Sequence, residues 1–540
     1  MAKVKPDAPD HLTMNLFAPG MTALHRAGLG GLACTLNAME RQHKAERLAG
    51  DKLPGPMVDG MYPWVIDERS VTLKFGEPAK ARDYLQKLFA FAFDLTAAGL
   101  IRLPGQYEAG NDPSGPILAD LQLGVLLTFL QHGGTRKLEK TPVTVQYDSN
   151  GDGNPGIIVQ YKKCSKFKHQ DGWKELVDSK GLLETNPITV DGPISPGTVV
   201  RHNAFSSDTV AEDLPVRMLP LYFAIVGCLP LSVNRGVGVL LVPEVENLQD
   251  FLFFRPAMTP TGVREAQIAN AADGALQAQI RLRSREAAEN AAVPGCYAMT
   301  LRPTAWASQQ KSRVATIHVP PGDDRILDRF NIAWNQLPPR IVTTEQQVSF
   351  RADSVIRPLI AENLALGRPW YSGFKVLMTK TNPATDKPYR NQLSFEREGL
   401  HAMISNRDMW DRDGEQFVVE AIHEAMGRRM AQIREETDGK NAKVLSQATK
   451  NRWERFRERL RLALAGAKRE ADVRFALTDL FSRGGNNTIL KTSWAKVLPV
   501  LRTEWQLARD LGLLALASYT GRGEQAKTNG DTKTLSPDED

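Results

Sequence analysis

The sequence predicts an α+β protein in which a mixed α/β N-terminal body with β-hairpins, residues 1–370, precedes a C-terminal α-helical bundle, residues 371–520. Three observations lead to this prediction. Short strand-like apolar segments alternate with helical periodicities throughout the body. Two such segments, Val143–Tyr147 and Ile157–Tyr161, flank a loop rich in Asp, Asn and Gly, which is typical of a β-hairpin. After Phe350 the apolar residues recur almost wholly at helical spacing.

The composition is that of a soluble globular protein with two or three domains. The chain has 540 residues, of which 42% are hydrophobic and 24% are charged. No apolar run reaches the roughly 18 residues that a membrane span needs, and the N-terminus lacks the apolar core of a signal peptide. The four cysteines lie far apart without a CxxC pair, which favours a reducing, cytoplasmic location and argues against a structural zinc.

A glycine-rich segment near the N-terminus coincides with the start of an amphipathic helix. Gly28, Gly30 and Gly31 lie among apolar residues at helical spacing, namely Leu29, Leu32, Leu36 and Met39. Since each interior glycine costs a helix about 1 kcal/mol relative to alanine, a neighbouring backbone or a ligand must approach closely. The pattern Gly28-x-Gly30-x-x-Ala33 also occurs in dinucleotide-binding turns, but the strands that such a turn requires are missing. Tight packing of this helix against a neighbouring element is therefore the favoured interpretation.

The other elements of the body follow from local patterns. Helices are predicted over Lys80–Leu95 and Ile117–Leu130, and near residues 245–255 and 263–280. The apolar run Leu219–Leu231 is interrupted by prolines and a glycine and is interpreted as buried strand. Strands are predicted over Tyr62–Ile66, Val71–Phe75, Val199–His202, Leu221–Val226, Val237–Val242, Tyr297–Leu301 and Val314–Val319.

The C-terminal part is predicted to be a bundle of amphipathic helices. Trp370–Leu393 is predicted as a loop with a short strand and forms the boundary region between the two parts. Residues 521–540 are polar and lack apolar periodicity, so this tail is predicted to be disordered. The helices are expected near residues 351–366, 393–404, 415–437, 441–465, 470–482 and 490–517.

Positive charge is concentrated in the helical part. The net charge of the whole chain is +6, whereas residues 440–474 contain eleven basic and four acidic residues. This segment therefore carries all of the excess positive charge, which indicates a polyanionic partner.

One helix of this segment is predicted to present an arginine face. Its apolar stripe consists of Trp453, Phe456, Leu460 and Leu464. Glu454 and Glu458 can each pair with the arginine three positions later, which leaves three arginines without a local acid: Arg452, Arg455 and Arg459. Guanidinium groups at this spacing can bind phosphates with forked hydrogen bonds, independently of sequence. A merely solvated charged face is the alternative.

Two segments of the body are further candidates for contact with nucleic acid. Lysines extend the second hairpin strand, namely Lys162, Lys163, Lys166 and Lys168. They suit a grip on a phosphate backbone, although lysines also protect an exposed strand edge from pairing. Asn234 and Arg235 lie in a glycine-containing loop between two apolar strands. These residue types read base edges in DNA grooves, but a hairpin turn also favours Asn and Gly.

No cofactor or metal is expected. Asp148–Gly153 matches the start of an EF-hand calcium loop, but Val159 stands where a bidentate Glu is required. Walker, HExxH and GxSxG signatures are missing. His423-Glu424 lacks a second metal-binding histidine, and Asp178-x-Lys180 lacks the acidic strand of a nuclease core. The sequence therefore favours a non-catalytic protein.

The opening of the chain resembles a known family. Phe17-Ala18-Pro19-Gly20, followed by Leu24-His25-Arg26-Ala27-Gly28-Leu29-Gly30-Gly31-Leu32, is similar to the start of the large subunit of type I CRISPR Cascade complexes, in the Myxan-type branch. This resemblance implies a non-catalytic subunit of a guide-RNA surveillance complex in antiviral defence. It also implies that the body recognises the motif that flanks the target, while paired guide RNA reads the remaining sequence.

The same resemblance implies the partners: guide RNA-bound backbone subunits, target double-stranded DNA with its displaced single strand, and a helicase-nuclease. The helical bundle would correspond to a small subunit and hold the displaced strand in a positive groove with aromatic faces. The sequence offers Trp410, Trp453, Trp494 and Trp505 as aromatic residues there. A scaffold or regulator that contacts only proteins, and a divergent metal-dependent nuclease, are the alternative functions.

Overall fold

The computed structural model describes residues 9–48, 61–108, 111–146, 158–191, 195–196, 210–234, 236–284, 293–306, 309–343, 349–382, 387–440 and 444–521. The chain forms two compact units, Met1–Asp323 and Asp324–Asp540. The first combines helices with small antiparallel sheets and the second is mainly helical, so the predicted α+β class is confirmed. The functional division at residue 370 stays a prediction. Within these ranges, no helix has the length and apolar character needed to cross a membrane.

The first unit alternates strands and helices along the chain. Its helices are α1 (Ala23–Leu48), α2 (Ala81–Ala92), α3 (Gly115–Thr128), α4 (Pro215–Gly227), α5 (Leu248–Met258), α6 (Val263–Ala266) and α7 (Ala271–Arg283). Its strands are β1 (His11–Asn15), β2 (Trp64–Ile66), β3 (Ser70–Lys74), β4 (Asp94–Leu95), β5 (Ile101–Arg102), β6 (Arg136–Gln146), β7 (Ile158–Phe167), β8 (Ile188–Asp191), β9 (Val210–Asp213), β10 (Leu229–Val233), β11 (Val237–Pro243), β12 (Cys296–Trp306) and β13 (Gln309–Val319).

The sheets of this unit are small and antiparallel. One has the strand order β1-β3-β2, and a four-stranded meander has the order β10-β11-β12-β13. The strands β6 and β7 form a two-stranded ribbon in which Val143 pairs with Tyr161 and Val145 pairs with Val159. The hairpin predicted from the sequence is therefore confirmed.

The core of the first unit is built on close contact between helices α1 and α4. A Cβ atom added at Gly28 would lie 2.0 Å from the Pro220 carbonyl oxygen, and one at Gly31 would lie 2.3 Å from that of Phe223. From the other helix, a Cβ atom at Gly227 would lie 1.8 Å from the Ala27 carbonyl oxygen. The glycines of α1 are thus helix-packing residues, and the dinucleotide-binding interpretation is not supported, because they lie inside a helix against backbone.

The prediction of strand over Leu221–Val226 is wrong, because these residues belong to helix α4. Every residue from Met218 to Gly227 is buried, so the helix is apolar on all sides and shows no periodicity that would distinguish it from a buried strand. Pro215 occupies the first turn, where a proline has no hydrogen bond to lose. Only the end of the apolar run, β10, is strand. The predicted strand Val199–His202 lies outside the described residues.

The second unit is a mainly helical assembly. Its helices are α8 (Asp324–Gln336), α9 (Arg357–Ala365), α10 (Lys375–Thr379), α11 (Tyr389–Leu393), α12 (Arg397–Ser405), α13 (Asp413–Asp438), α14 (Gln447–Gly466), α15 (Glu470–Gly484), α16 (Thr488–Thr503) and α17 (Trp505–Ser518). Its short strands are β14 (Arg340–Thr343), β15 (Ser349–Ala352), β16 (Thr381–Asn382) and β17 (Lys387–Pro388).

The long helix α13 is central to the second unit. Helices α14, α15, α16 and α17 all pack against it, which buries Val418, Ile422 and Met426. The predicted helices near residues 415–437, 441–465 and 470–482 are confirmed, whereas the predicted helix 490–517 is two helices, α16 and α17, which separate at Glu504. The amphipathic helix α8, which buries Leu327 and Phe330, was not predicted.

Candidate nucleic-acid interface

Helix α14 is held in place by its N-cap and by an apolar face. The Ser446 side chain accepts a hydrogen bond from the Thr449 backbone nitrogen at 3.1 Å, which caps the helix. Leu460 and Leu464 are buried, and the Trp453 ring donates to the Met430 carbonyl oxygen of α13 at 2.9 Å. The predicted apolar stripe therefore packs towards α13, and Phe456 and Leu460 form its border with the outward flank of the helix.

A groove of about 370 Å³ runs along this outward flank, between α14, α13 and α15. We call it the arginine groove. Five arginines line it, together with Phe456 and Phe475. The Phe475 ring is 76% exposed, which is unusual for an aromatic side chain. The arginines are Arg429, Arg452, Arg455, Arg459 and Arg483.

The acids near the groove neutralise only part of this charge. Glu436 of α13 pairs with Arg429 at 3.0 Å and with Arg452 at 2.7 Å. The hydrogen bonds from these two guanidinium groups lower the pKa of Glu436. Asp479 pairs with Arg483 at 2.8 Å. Two carboxylates against five guanidinium groups leave three positive charges in the groove.

Two of these three charges lie on α14 with no partner among the described residues, and the third is shared by Arg429 and Arg452 around Glu436. Arg455 and Arg459 are exposed, and neither has an ion-pair or hydrogen-bond partner among the described side chains and backbone. The expectation that Arg452 lacks an acidic partner is wrong, because Glu436 of the preceding helix supplies one that local spacing does not show. The predicted pair Glu458–Arg461 is confirmed at 2.6 Å. The Arg457 guanidinium lies over the Tyr519 ring.

The tryptophans that were expected beside the arginines do not line the arginine groove. Trp410 is buried and donates to the Ile404 carbonyl oxygen, so it is a core residue. Trp494 is 47% exposed but lies in a separate groove beside Arg474 and Arg502. Trp505 is half-buried beneath Arg509. The exposed aromatic of the arginine groove is Phe475, which sequence analysis missed because it belongs to a different helix.

Three of the four candidate lysines lie on the edge strand β7, and Lys168 directly follows it. Lys162 is exposed and Lys163 half-buried, whereas Lys166 pairs with Asp171 and Lys168 lies 3.8 Å from Glu175. On the side of β7 away from β6, the Cys164 nitrogen donates to the Gly99 carbonyl oxygen at 2.8 Å. Part of this edge is therefore already covered by backbone. Of the four lysines, Lys162 and Lys163 are therefore the two without a carboxylate partner among the described residues.

Asn234 lies at the turn between β10 and β11. Its φ angle of 47° is in the left-handed region, which asparagine tolerates better than most residues. The Gly236 nitrogen donates to the Val233 carbonyl oxygen at 3.2 Å and closes the turn. The turn geometry by itself thus accounts for an asparagine here. Arg235 and the candidate calcium loop Asp148–Gly153 lie outside the described residues.

The weak enzyme signatures have structural roles. His423 is half-buried and hydrogen-bonds through Nε2 to the Ala515 carbonyl oxygen and the Ser518 hydroxyl, and its partial removal from water lowers its pKa to about 4. Asp178 accepts hydrogen bonds from the Lys180 and Leu182 nitrogens and closes its own turn. In the described parts of the chain, no three His, Cys, Asp or Glu side chains are grouped so as to hold a metal ion.

The chain is similar to two known domain families and to a known CRISPR-associated protein. The DevT N-terminal domain model matches residues 13–222, and the DevT C-terminal domain model matches residues 406–540. The chain is also 34% identical over 541 residues to the CRISPR-associated protein Cas8a1/Csx13 of Myxococcus xanthus strain DK1622, covering 96% of this chain and 90% of the relative. The chain therefore belongs to the Cas8a1/Csx13 family, the large subunits of Myxan-type CRISPR Cascade complexes. The resemblance seen in the opening residues is confirmed.

Proposed function

We propose that this large subunit acts by binding target DNA without cleaving it, and that the arginine groove holds a strand of that DNA. The observation that carries the proposal is the pair Arg455 and Arg459, which are exposed and unpaired among the described residues, beside the exposed ring of Phe475. Guanidinium groups bind phosphates, and an exposed aromatic ring offers a face to an unstacked base. This combination suits a single strand better than a protein surface.

Binding in the groove is expected to depend on charge and not on sequence. Arg455→Gln/Arg459→Gln should lower the affinity for a fluorescein-labelled single strand about tenfold at low salt, because two phosphate contacts are lost. The slope of log affinity against log salt should fall by about 1.4, since each contact to a single strand contributes about 0.7. Fluorescence anisotropy between about 0.05 and 0.2 M salt measures both quantities.

The control is Arg474→Gln/Arg502→Gln, which removes the same charge from the separate groove beside Trp494. It should change the affinity less than threefold, roughly the effect of lowering the net charge alone. Equal losses in the two variants would show that binding follows net charge and not the arginine groove, and would contradict the proposal. Phe475→Ala should weaken binding further, because stacking contributes about 1–3 kcal/mol per base.

We further propose that the body engages duplex DNA and reads the flanking motif, within a cytoplasmic complex that includes guide RNA, backbone subunits and a helicase-nuclease. Support comes from the family and from two segments: the β7 lysines, and Asn234 with Arg235, which follows it in the sequence. Lysine contacts to phosphate position a protein on DNA, whereas Asn and Arg side chains distinguish bases. The two segments thus predict different variant behaviour.

Lys162→Gln/Lys163→Gln should weaken binding of the assembled complex to duplexes with and without the flanking motif by the same factor, about fivefold. Arg235→Ala should lower the preference for the motif about tenfold, because a base contact contributes about 1–3 kcal/mol of discrimination. Lys166→Gln is the matched control, since Asp171 already engages that lysine. Uniform weakening by Arg235→Ala would refute its role in reading bases.

A further inference from the structure

The opening motif of the chain forms a hydrogen-bonded turn that holds an aromatic ring in solvent. The Asn15 side chain accepts a hydrogen bond from the Phe17 nitrogen at 2.9 Å, which fixes the turn locally. Leu16 is fully buried, whereas the adjacent Phe17 is 50% exposed. Among residues 15–22 and 66–70, all of which the structure describes, Phe17 is the only exposed large apolar side chain. The ring therefore does not belong to a larger apolar patch formed by these two segments.

Two arginines border this ring. The guanidinium carbon of Arg26, near the start of α1, lies 5.7 Å from the ring centroid, and that of Arg69, in the turn between β2 and β3, lies 5.6 Å from it. The Arg69 carbonyl oxygen accepts a hydrogen bond from the Leu16 nitrogen at 2.9 Å, which holds the two turns together. Both centroid distances are near the limit of a cation–π contact and exceed the roughly 3.5–4 Å of a flat stack. The guanidinium groups therefore border the ring without covering it.

The charges of these two arginines are not neutralised by the described residues. Neither guanidinium group has an ion pair or a hydrogen bond among them, and Nε of Arg26 is buried without an acceptor. Arg217 shows the contrast: its Cδ atom lies 3.1 Å from the place of a Cβ atom on Gly20, but its guanidinium group pairs with Asp213. Two uncompensated positive charges beside one exposed ring attract an anion.

This combination fits one unpaired nucleotide. Phosphate oxygens accept hydrogen bonds from guanidinium groups, and a base that is not stacked in a duplex can lie on an exposed aromatic ring. A protein partner would require a broader apolar patch, because the buried centre of a protein interface is depleted of charge and densely packed. A single ring bordered by two charged groups has no such patch, so its surroundings favour nucleic acid over protein.

We propose that Phe17, Arg26 and Arg69, which we call the Phe17 site, bind one unpaired nucleotide of an RNA or DNA strand. The base stacks on the Phe17 ring, and the phosphate accepts hydrogen bonds from the two guanidinium groups. The site belongs to the first unit, and none of its residues lines the arginine groove. It goes beyond the proposed function, because it binds its nucleotide whether or not a strand lies in that groove.

The ring is tested in the full chain carrying Arg455→Gln/Arg459→Gln, with labelled RNA and DNA single strands of about six nucleotides. Phe17→Ala should lower the affinity about tenfold for one or both strands, and the strand affected identifies the ligand. Phe17→Leu should lose as much, because leucine keeps apolar volume but no aromatic face, whereas Phe17→Trp should retain the affinity. An unchanged affinity of Phe17→Ala for both strands would overturn the proposal.

The arginines are tested in the same background. Arg26→Gln/Arg69→Gln should lower the affinity about tenfold and the slope of log affinity against log salt by about 1.4. Lys74→Gln/Lys87→Gln is the matched control, since it removes two exposed lysines of the same unit that have no ion pair among the described residues. It should change the affinity less than threefold. Equal losses would attribute binding to net charge and overturn the site. Unchanged strand binding, together with loss of the arginine variant from the assembled complex, would indicate a protein contact and would also overturn it.

Ultraviolet crosslinking separates this proposal from the proposed function. A strand that contains 5-bromouracil should crosslink to Phe17 both in the wild type and in Arg455→Gln/Arg459→Gln, as located by mass spectrometry of the peptides. If the arginine groove binds no strand, the crosslink at Phe17 persists while none forms at Phe475, which refutes the proposed function and supports the Phe17 site. Crosslinks at Phe475 without any at Phe17 would overturn the Phe17 site and leave the proposed function intact.

Discussion

Gly227→Ala is expected to destabilise the first unit by about 4 kcal/mol or more, a large share of the stability of an ordinary domain. The added Cβ atom would lie 1.8 Å from the Ala27 carbonyl oxygen, and this obstacle is helix backbone, not a side chain that can rotate away. Helices α1 and α4 would have to separate. Because both helices lie in the main core, their separation would expose apolar surface from several neighbouring elements.

Thermal unfolding followed by circular dichroism, together with the yield of soluble protein, measures this effect. Gly134→Ala is the control, since a Cβ atom there meets nothing within 4 Å, and its effect should stay within about 0.5 kcal/mol. Gly28→Ala, which meets the Pro220 carbonyl oxygen from the opposite helix, should reproduce the loss. If Gly227→Ala unfolded at the same temperature as the wild type, the two helices would not pack as closely as described.

The glycine contact shows what local sequence can and cannot predict. Helical spacing and the cost of glycine together indicated a close approach at α1, and the structure confirms it. The partner was not predicted, because α4 is apolar on every side and was interpreted as strand. The hairpin β6–β7 and the strands β11, β12 and β13 were located, since alternation and turn residues are local signals.

The candidate site was predictable only for the residues of one helix. The stripe of α14 placed Arg455 and Arg459 on the outward flank, where the structure has them. Arg429, Arg483 and Phe475 come from α13 and α15, and helix packing alone brings them to the same groove. The carboxylate of Glu436, which engages Arg452, is likewise supplied by another helix. Residues that come from different helices follow no common periodicity in the sequence. Their presence in one groove can therefore be seen only in the tertiary structure.

His169 is expected to make the first unit sensitive to acid. It follows β7 and is buried among aromatic rings, and neither ring nitrogen has a hydrogen-bond partner among the described residues. Burial lowers its pKa to about 3, below the 6.5 of an exposed histidine. Below pH 6.5, His169 is therefore protonated in the unfolded chain but stays neutral in the folded chain. The stability present above pH 6.5 is lost as the pH falls towards 3, by about 2 kcal/mol at pH 5 and about 3 kcal/mol at pH 4.

His169→Phe should remove this sensitivity, because a phenyl ring fits among Phe93, Phe129 and Tyr222 and carries no proton. Urea unfolding at pH 7 and pH 5 should show the variant gaining about 2 kcal/mol over the wild type at the lower pH. His423 is the internal control: it belongs to the second unit, has a pKa of about 4, and is unchanged in this variant, so the acid loss of that unit should persist. A parallel decline of variant and wild type in the first unit would show that His169 takes up its proton without unfolding, and that its aromatic surroundings open to water.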